Sequence, residues 1–596
     1  MAITTVLETR VQAGSADLVE QHAPTTGDDN NPPDEPQESP PEGPVSNGRR
    51  LEHDHSPNMG IRPGSSKLQV ATLMTCLCAC VFIAALDITI VTTALPTIAN
   101  QFASNAGYTW IGTSFTLAHT ASTPSWGKVS DIWGRKPMLM GANAIFFAGS
   151  LMCALVGDMD SFIAGRVLQG LGAGGMQTIV NICISDLFSQ RDRGFYYGLT
   201  SVVWALASGV GPVMGGVFTS RLSWRWCFWI NLPITGAVFP LLFFTLKMPN
   251  PKTPMRAGLK AIDWTGSFLI IGGALMLLIG LHLGGVHDPW HSATVVCLIV
   301  FGFVAGGLFV VNEWKLAEYP VIPLHLFRTW SSSAAYSLCF LHAFAFMGVA
   351  YYLPLYFQAV LLASPLMSGV YLLPFIVSSS ISAALTGVYI QRSGRYLPAV
   401  YTGLVAMTLG IGLLANLEVD ADWVKMVIYQ LIGGAGFGMN LEGPLLAVQA
   451  DVQVRDVATA TAVMGFIRTI STAISIVLGG VVFQNEMGRR KGMLENGLGP
   501  DLAQLLDGGS AAANVELVRS LPPGQRVIAR RAFYESTRSM WIMYVCFSAL
   551  GLLLGGFIKG HPLKKEHEVT EVGLRNLTER QRSGSREDSP MQGEVG

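Results

Sequence analysis

From Lys67 onward the chain alternates long apolar runs with short polar breaks. The runs fall near residues 67–96, 108–126, 137–156, 161–185, 195–218 and 226–246. Two more lie near 264–284 and 292–312, and a last group near 334–358, 368–390, 397–415, 424–448, 458–483 and 541–558. A helix of about 20 residues rises ~30 Å, enough to cross the hydrocarbon core of a bilayer. The pattern predicts an all-α polytopic membrane protein with fourteen spans grouped six, two and six. In this organisation residues 1–66, rich in Pro, Gly, Asp, Glu and Ser, form a disordered cytoplasmic tail. Residues 67–246 make a six-helix bundle, and 247–330 a connection holding two extra spans. Residues 331–558 make a second six-helix bundle with a long outer loop at 484–540, and 559–596 a cytoplasmic tail.

Between the second and third runs lies Gly127-Lys128-Val129-Ser130-Asp131-Ile132-Trp133-Gly134-Arg135-Lys136, which reads as a short charged hairpin. A weaker copy, Gly387 to Arg395 with Gly394 inside it, stands between the tenth and eleventh runs, 260 residues after Gly127. The glycine-rich stretch Arg166 to Gln177 is echoed by Gln430 to Gly438, with Gly170 and Gly434 set 264 residues apart. Arg191-Asp192 recurs as Arg455-Asp456, and Gly215-Gly216 as Gly479-Gly480, at the same offset. Echoes at nearly one offset point to duplication. The copies are eight runs apart, where a plain duplication of six gives six, so two spans were inserted between the halves. The halves also differ. Asp131 corresponds to Gln391 and Arg166 to Gln430, so these charges survive in the first half only. Gly211-Pro212-Val213-Met214-Gly215-Gly216 has a proline where the second half has Ser475-Ile476. Pro212 removes a backbone donor and bends its helix beside small residues, which suits a packing hinge.

Composition narrows the function. Of 596 residues, 50% are hydrophobic and 13% charged, against about 25% charged in a soluble domain. A net charge of −1 gives no argument for nucleic acid or acidic substrates. The nine cysteines fall inside the runs without metal-site spacing, and read as free thiols. One set of short loops carries Lys128, Arg135, Lys136, Arg191, Arg193, Lys247, Lys252, Arg256, Lys260, Lys315, Arg328, Arg392, Arg395 and Arg455. The alternate loops carry Arg221 and Arg225, with Lys425 at a span edge. The basic set is expected to be cytoplasmic, with both termini on that side. Loop 484–540 then lies outside despite Arg489, Arg490, Lys491, Arg526, Arg530 and Arg531, and the sequon at Asn576 faces the cytoplasm. The polar amino terminus is not expected to be a cleaved leader.

Ionisable residues within the runs are few: Asp87, His119, Arg166, His282, His342, Glu442 and Arg468. Such groups are costly in a membrane and are functional candidates by default. Burial favours the protonated form of a carboxyl and a nearby cation favours the ionised one, so a group poised between them can exchange a proton. Asp87 and Arg166 are the candidates for that role. The histidines read as polar fillers near span ends, Arg468 as pairing with a carbonyl or carboxylate, and Glu442 as solvated or gating. Gly170, Gly172 and Gly175 formally fit G-x-G-x-x-G, but no strand precedes them and close helix packing explains them better. No nucleotide-binding loop, H-E-x-x-H or G-x-S-x-G occurs. No cofactor, metal or enzymatic activity is therefore expected, and a secondary transporter running on gradients is.

Together these motifs resemble the fourteen-span drug:proton antiporter branch of the major facilitator superfamily, as found in fungi, over roughly residues 67–558. Gly127, Asp131, Gly134, Arg135 and Lys136 resemble the family's cytoplasmic gating loop, with Gly387, Gly394 and Arg395 as its second-half counterpart. Arg166-x-x-Gln169-Gly170 resembles its fourth-span motif. Gly211-Pro212-x-x-Gly215-Gly216 resembles its antiporter motif, with Ala207 in place of a usual glycine. Leu86-Asp87-Ile88-Thr89, Ala94-Leu95-Pro96, Trp224-Arg225-Trp226, Phe228, Asn231-x-Pro233, Leu355-Tyr356-Phe357-Gln358 and Ser368-Gly369 resemble further branch signatures. The resemblance implies two six-helix bundles rocking about a central site. One proton would enter as an amphipathic toxin, secondary metabolite or drug leaves, with Asp87 the proton acceptor and Arg166 its partner. The cavity lining is expected to include Gln177, Asn181, Tyr352, Tyr356 and Gln358. A monomer in the plasma membrane is implied, with the vacuolar membrane as the alternative. An uptake symporter for a siderophore, peptide or amino acid shares the fold, and fold does not set direction.

Overall fold

The computed structural model describes residues 67–566 apart from 103–104, 249–250, 252, 285–287, 421, 509–510 and 513. The amino-terminal tail and the sequon at Asn576 lie outside the described residues. The first half comprises α1 (Lys67–Ile90), α2 (Leu95–Gln101), α3 (Asn105–Trp133), α4 (Arg135–Leu155), α5 (Met159–Leu187), α6 (Gln190–Arg221), α7 (Trp226–Trp229) and α8 (Asn231–Thr245). A short α9 (Met255–Lys260) leads to two long helices, α10 (Trp264–Leu283) and α11 (Ala293–Lys315). The second half holds α12 (Trp330–Ala359), α13 (Pro365–Ser393), α14 (Leu397–Leu414), α15 (Trp423–Asn440), α16 (Gly443–Asp451) and α17 (Val457–Arg489). It ends with α18 (Lys491–Leu498), α19 (Pro500–Leu505), α20 (Val515–Ser520) and α21 (Pro523–Gly555).

Among the described residues, 13 helical segments are long and apolar enough to cross a membrane. The remaining long helix, α3, is too polar to qualify, and burial explains why. Its Thr120, Thr123, Lys128, Ser130 and Asp131 are turned into protein rather than lipid. Helix α11 shows the opposite case, exposing Val296, Val300, Phe301, Phe303, Val304 and Leu308 as a lipid-facing helix must. The chain is thus an all-α, multi-pass membrane protein.

The duplication is visible in the packing. Glycines let α5 wedge between α3 and α4: a methyl group at Gly172 would lie 2.7 Å from the Ala142 carbonyl oxygen, and one at Gly175 2.6 Å from the Trp126 ring. In the second half α15 lies between α13 and α14 in the same way. A methyl group at Gly436 would lie 2.7 Å from the Met407 Cα.

Two expectations need correction. The charged stretch 127–136 is not a hairpin, because α3 continues through Trp133 and α4 begins at Arg135. Gly134 alone makes the turn, with φ +94°, a backbone conformation that costs glycine nothing. In the copy α13 runs to Ser393, and Gly394, at φ +70°, ends it. The stretch 484–540 is not a loop either. It holds the ends of α17 and α21 with three short helices between them. The cations that strained the charge rule are spent locally. Arg489 and Arg490 reach Glu486 at 2.6 and 2.7 Å, and Arg531 reaches Glu535 at 3.0 Å. Lys491 lies 3.4 Å from Asp507. Arg530 donates to the carbonyls of Val360 and Val419 at 2.6 and 2.5 Å, pinning α21 to the ends of α12 and the α14–α15 connection.

Candidate transport site and gate

The first site is a polar cluster inside the first half. Asp87 lies a turn before the end of α1 and is fully buried, as are Gln169, Ser150 and Asn231, with Arg166 2% exposed. Arg166 Nη1 donates to Asp87 Oδ2. Asp87 Oδ1 accepts from Gln169 Nε2 and Asn231 Nδ2, each at 2.9 Å. Arg166 and Gln169 stand three apart on α5 and so share a face, and Arg166 Nη1 also reaches Gln169 Oε1 at 2.8 Å. Gln169 Nε2 donates to Ser150 on α4 at 2.9 Å, and Arg166 Nε to the Ile111 carbonyl at 3.0 Å. The guanidinium lies against the Phe115 and Phe228 rings, 4.5 and 5.9 Å from their centroids. An ion in such surroundings is stable only if paired and hydrogen-bonded. A proton on Asp87 would cancel its charge and weaken the acceptor that Arg166, Gln169 and Asn231 share.

Beside this cluster α6 crosses α1. Thr89 Oγ1 bonds to the Ala207 carbonyl at 3.2 Å. A methyl group at Gly211 would lie 3.0 Å from Ile90 N, and one at Gly215 3.1 Å from the Ile90 carbonyl carbon. Gly216 faces open space and Pro212 is half-buried, so the contact belongs to Gly211 and Gly215.

The second site lies where α3 ends. Arg135, at the start of α4, bonds Asp131 at 2.5 Å, Asp186 at 2.8 Å and Ser130 at 3.1 Å, all buried. Asp131 Oδ2 also accepts from Thr459 of α17 at 3.3 Å, across the two halves. Gly127 lets α17 approach, since a methyl group there would overlap the Ala462 side chain. The copy makes the reciprocal contact. Gln391, in the place of Asp131, donates to Asp192 of α6 at 2.9 Å, while Arg191 donates to the carbonyls of Gln391 and Arg392. Gly387 packs on the backbone of Gly194. Arg193 and Tyr197 both meet Gln449 of α16, at 3.4 and 3.1 Å. The two halves are therefore closed on each other at this end.

Not every motif residue joins these clusters. Lys136 turns away to the Phe243 carbonyl at 2.6 Å, and Arg395 is exposed. Gln177 bonds His119 at 3.2 Å, and Asn181 lends its carbonyl to Tyr197 at 3.0 Å, both near the seam between the halves. Tyr352, Tyr356 and Gln358 take partners within the second half: the Ile476 carbonyl, the Glu418 carbonyl at 2.7 Å and Ser368 at 3.0 Å. Sequence reasoning did not single out Gln169, Asn231, Ser150 or Asp186. The first two sat inside quoted motifs, but a neutral amide in a span carries little signal by itself. Asp186 and Ser150 carried none.

Comparison with known proteins agrees with this architecture. The profile of the Major Facilitator Superfamily matches residues 77–476. The chain is 49% identical over 509 residues to the MFS-type transporter ppz2 of Metarhizium majus, covering 85% of this chain and 88% of that protein. It is 49% identical over 515 residues to the efflux pump dotC of Dothistroma septosporum, covering 86% and 88%. It is 34% identical to the efflux pump FUS6 of Gibberella moniliformis, covering 83% and 88%. Among solved structures, the proton:xylose symporter XylE superposes with a TM-score of 0.53 at 14% identity, covering 86% of this chain and 99% of that one. The fold, the duplicated helix-end motif and these similarities establish that the chain belongs to the major facilitator superfamily.

Proposed function

We propose that this protein exports an amphipathic organic molecule, a toxin, secondary metabolite or drug, in exchange for a proton. The observation that carries the reading is the Asp87 cluster: a fully buried carboxylate whose two oxygens hold Arg166, Gln169 and Asn231. It sits one turn from the α1–α6 crossing, so gain of a proton at Asp87 acts directly on a helix contact. The efflux pumps among the relatives support the direction of transport. The gate end is the cytoplasmic end, as its lysines and arginines favour, and both termini lie on that side. The cavity between the halves is lined in part by Gln177 and Asn181. The protein works as a monomer in the plasma membrane and transports without chemistry on its cargo.

The test uses the purified protein in sealed vesicles with an imposed proton gradient and a panel of hydrophobic toxins. Native protein moves a toxin against its gradient while the proton gradient collapses faster. Asp87→Asn removes both effects by about tenfold or more. Movement of the toxin in the same direction as the proton would overturn export.

A further inference from the structure

The two seams that join the halves at this end can be followed residue by residue. Along α3 and α17 the facing pairs are Asp131 with Thr459, Gly127 with Ala462 and Thr123 with Gly465. The next residue on that face of α17, three further on, is Arg468. Along α6, Gly194 faces Ile390, Gly198 faces Ala383, and Ser201 faces Glu442, with Oγ and Oε1 3.4 Å apart. Past this level no hydrogen bond joins the two halves among the described residues. Glu442 and Arg468 thus stand at the inner end of the hydrogen bonds that join the halves, and both are half-buried.

The helix that carries Glu442 is broken there. Helix α15 ends at Asn440 and α16 starts at Gly443, with Pro444 in its first turn. Discontinuous spans mark binding sites in repeat-built transporters, because their ends present backbone polar groups to the pathway. The two charges act on each other but make no direct ion pair. Arg468 Nη2 donates to the Leu441 carbonyl at 2.7 Å and its side chain also meets the Cys339 thiol, its buried Nε–H has no hydrogen-bond partner among the described residues, and Glu442 accepts from the Ser201 hydroxyl. Each charge is left on a neutral partner with hydrogen-bonding capacity to spare.

We infer that Glu442 and Arg468 recognise the polar end of the transported molecule, and that this end is neutral, with a hydroxyl donor and a carbonyl acceptor on one apolar skeleton. The hydroxyl donates to Glu442 and the carbonyl accepts from Arg468. The two stand close enough to act on each other, so a cationic end at Glu442 also lies near Arg468 and an anionic end at Arg468 also lies near Glu442, each within reach of a like charge. A neutral donor–acceptor end satisfies both. This assignment rests on the transport reading above, and its test is a binding measurement that needs no gradient.

The probes are a 7-hydroxycoumarin carrying an octyl chain and its 7-methoxy counterpart, titrated by fluorescence into full-length protein in detergent at a pH where the phenol is neutral. The native protein binds the hydroxyl probe about tenfold more tightly than the methoxy probe, as a site built around a donor should. Glu442→Leu, which has no acceptor, binds the two alike. Arg468→Gln weakens both by about tenfold, since both probes keep the carbonyl. Equal affinity of the native protein for the two probes, binding of neither, or a preference that survives Glu442→Leu would overturn the assignment. The native comparison decides it even if a variant misfolds. A protein that shows the preference yet exchanges no proton sinks the export reading and leaves the site standing, and exchange without the preference does the reverse.

Discussion

Arg166 does several jobs at once, and that makes it hard to replace. Its planar fork meets Asp87, Gln169 and the Ile111 carbonyl in different directions while its face rests on Phe115. Lysine keeps the charge but is a compact ammonium without that fork. We expect Arg166→Lys to lose proton-coupled transport by about tenfold or more even where the protein remains folded, as vesicle flux and size-exclusion profiles together will report. Asn231→Leu removes one of the donors on Asp87 Oδ1, and a hydrogen bond to a charged group contributes about 1.5–3 kcal/mol. That variant should melt several degrees lower and transport poorly, and a native-like melting profile would argue that Asn231 is a bystander. Asp87 and Arg166 were legible in the sequence because an ion in an apolar run is expensive and needs a reason. Their neutral partners were not, since an amide or a serine in a membrane helix has many cheap uses.

At the level of helices, the antiporter-like motif divides unevenly. Gly211 and Gly215 touch α1, while a methyl group at Gly216 would meet nothing. Alanine at either of the first two forces α6 away from Ile90, so transport should fall sharply in vesicle flux assays. Gly216→Ala should keep nearly native flux, and loss of function there would contradict the packing described. At the opposite end Arg530 joins α21 to α12 and the α14–α15 connection through two carbonyls. Arg530→Leu strands those acceptors, each worth about 1–3 kcal/mol if left unsatisfied, and should lower the melting temperature while leaving Asp87-dependent coupling intact. Helix existence was readable from apolar runs of bilayer length. The error lay at the ends. Charged residues at 127–136 looked like a long turn, but Asp131 and Arg135 neutralise each other and face protein, so α3 runs on through Asp131 to Trp133 and the turn shrinks to Gly134. The same physics hid α3 from a hydropathy criterion and turned the stretch 484–540 into helices paired by ions.

For the whole molecule, duplication was legible because the second copy kept its glycines at nearly one offset, and the glycines mark where helices touch. Which surfaces of the copies meet was not legible, since Gly127–Ala462 and Gly387–Gly194 join residues hundreds of positions apart. The closed end can be tested directly. A Cβ built on Gly194 lies 3.3 Å from the Ile390 Cβ, close to the ~3.8 Å of a disulfide. Gly194→Cys with Ile390→Cys should cross-link on oxidation, stop transport, and recover on reduction. Continued flux in the cross-linked protein would mean that this end need not open. The seam also has a consequence for energy supply. It is held by small residues and a handful of side-chain hydrogen bonds such as those of Gln391 and Gln449, each contributing about 1 kcal/mol net. One elementary charge crossing a membrane at 100 mV releases about 2.3 kcal/mol, the same order as a pair of those bonds. If the cargo is neutral, every cycle carries one net charge inward, so voltage alone, with no difference in pH, should be enough to turn the transporter over.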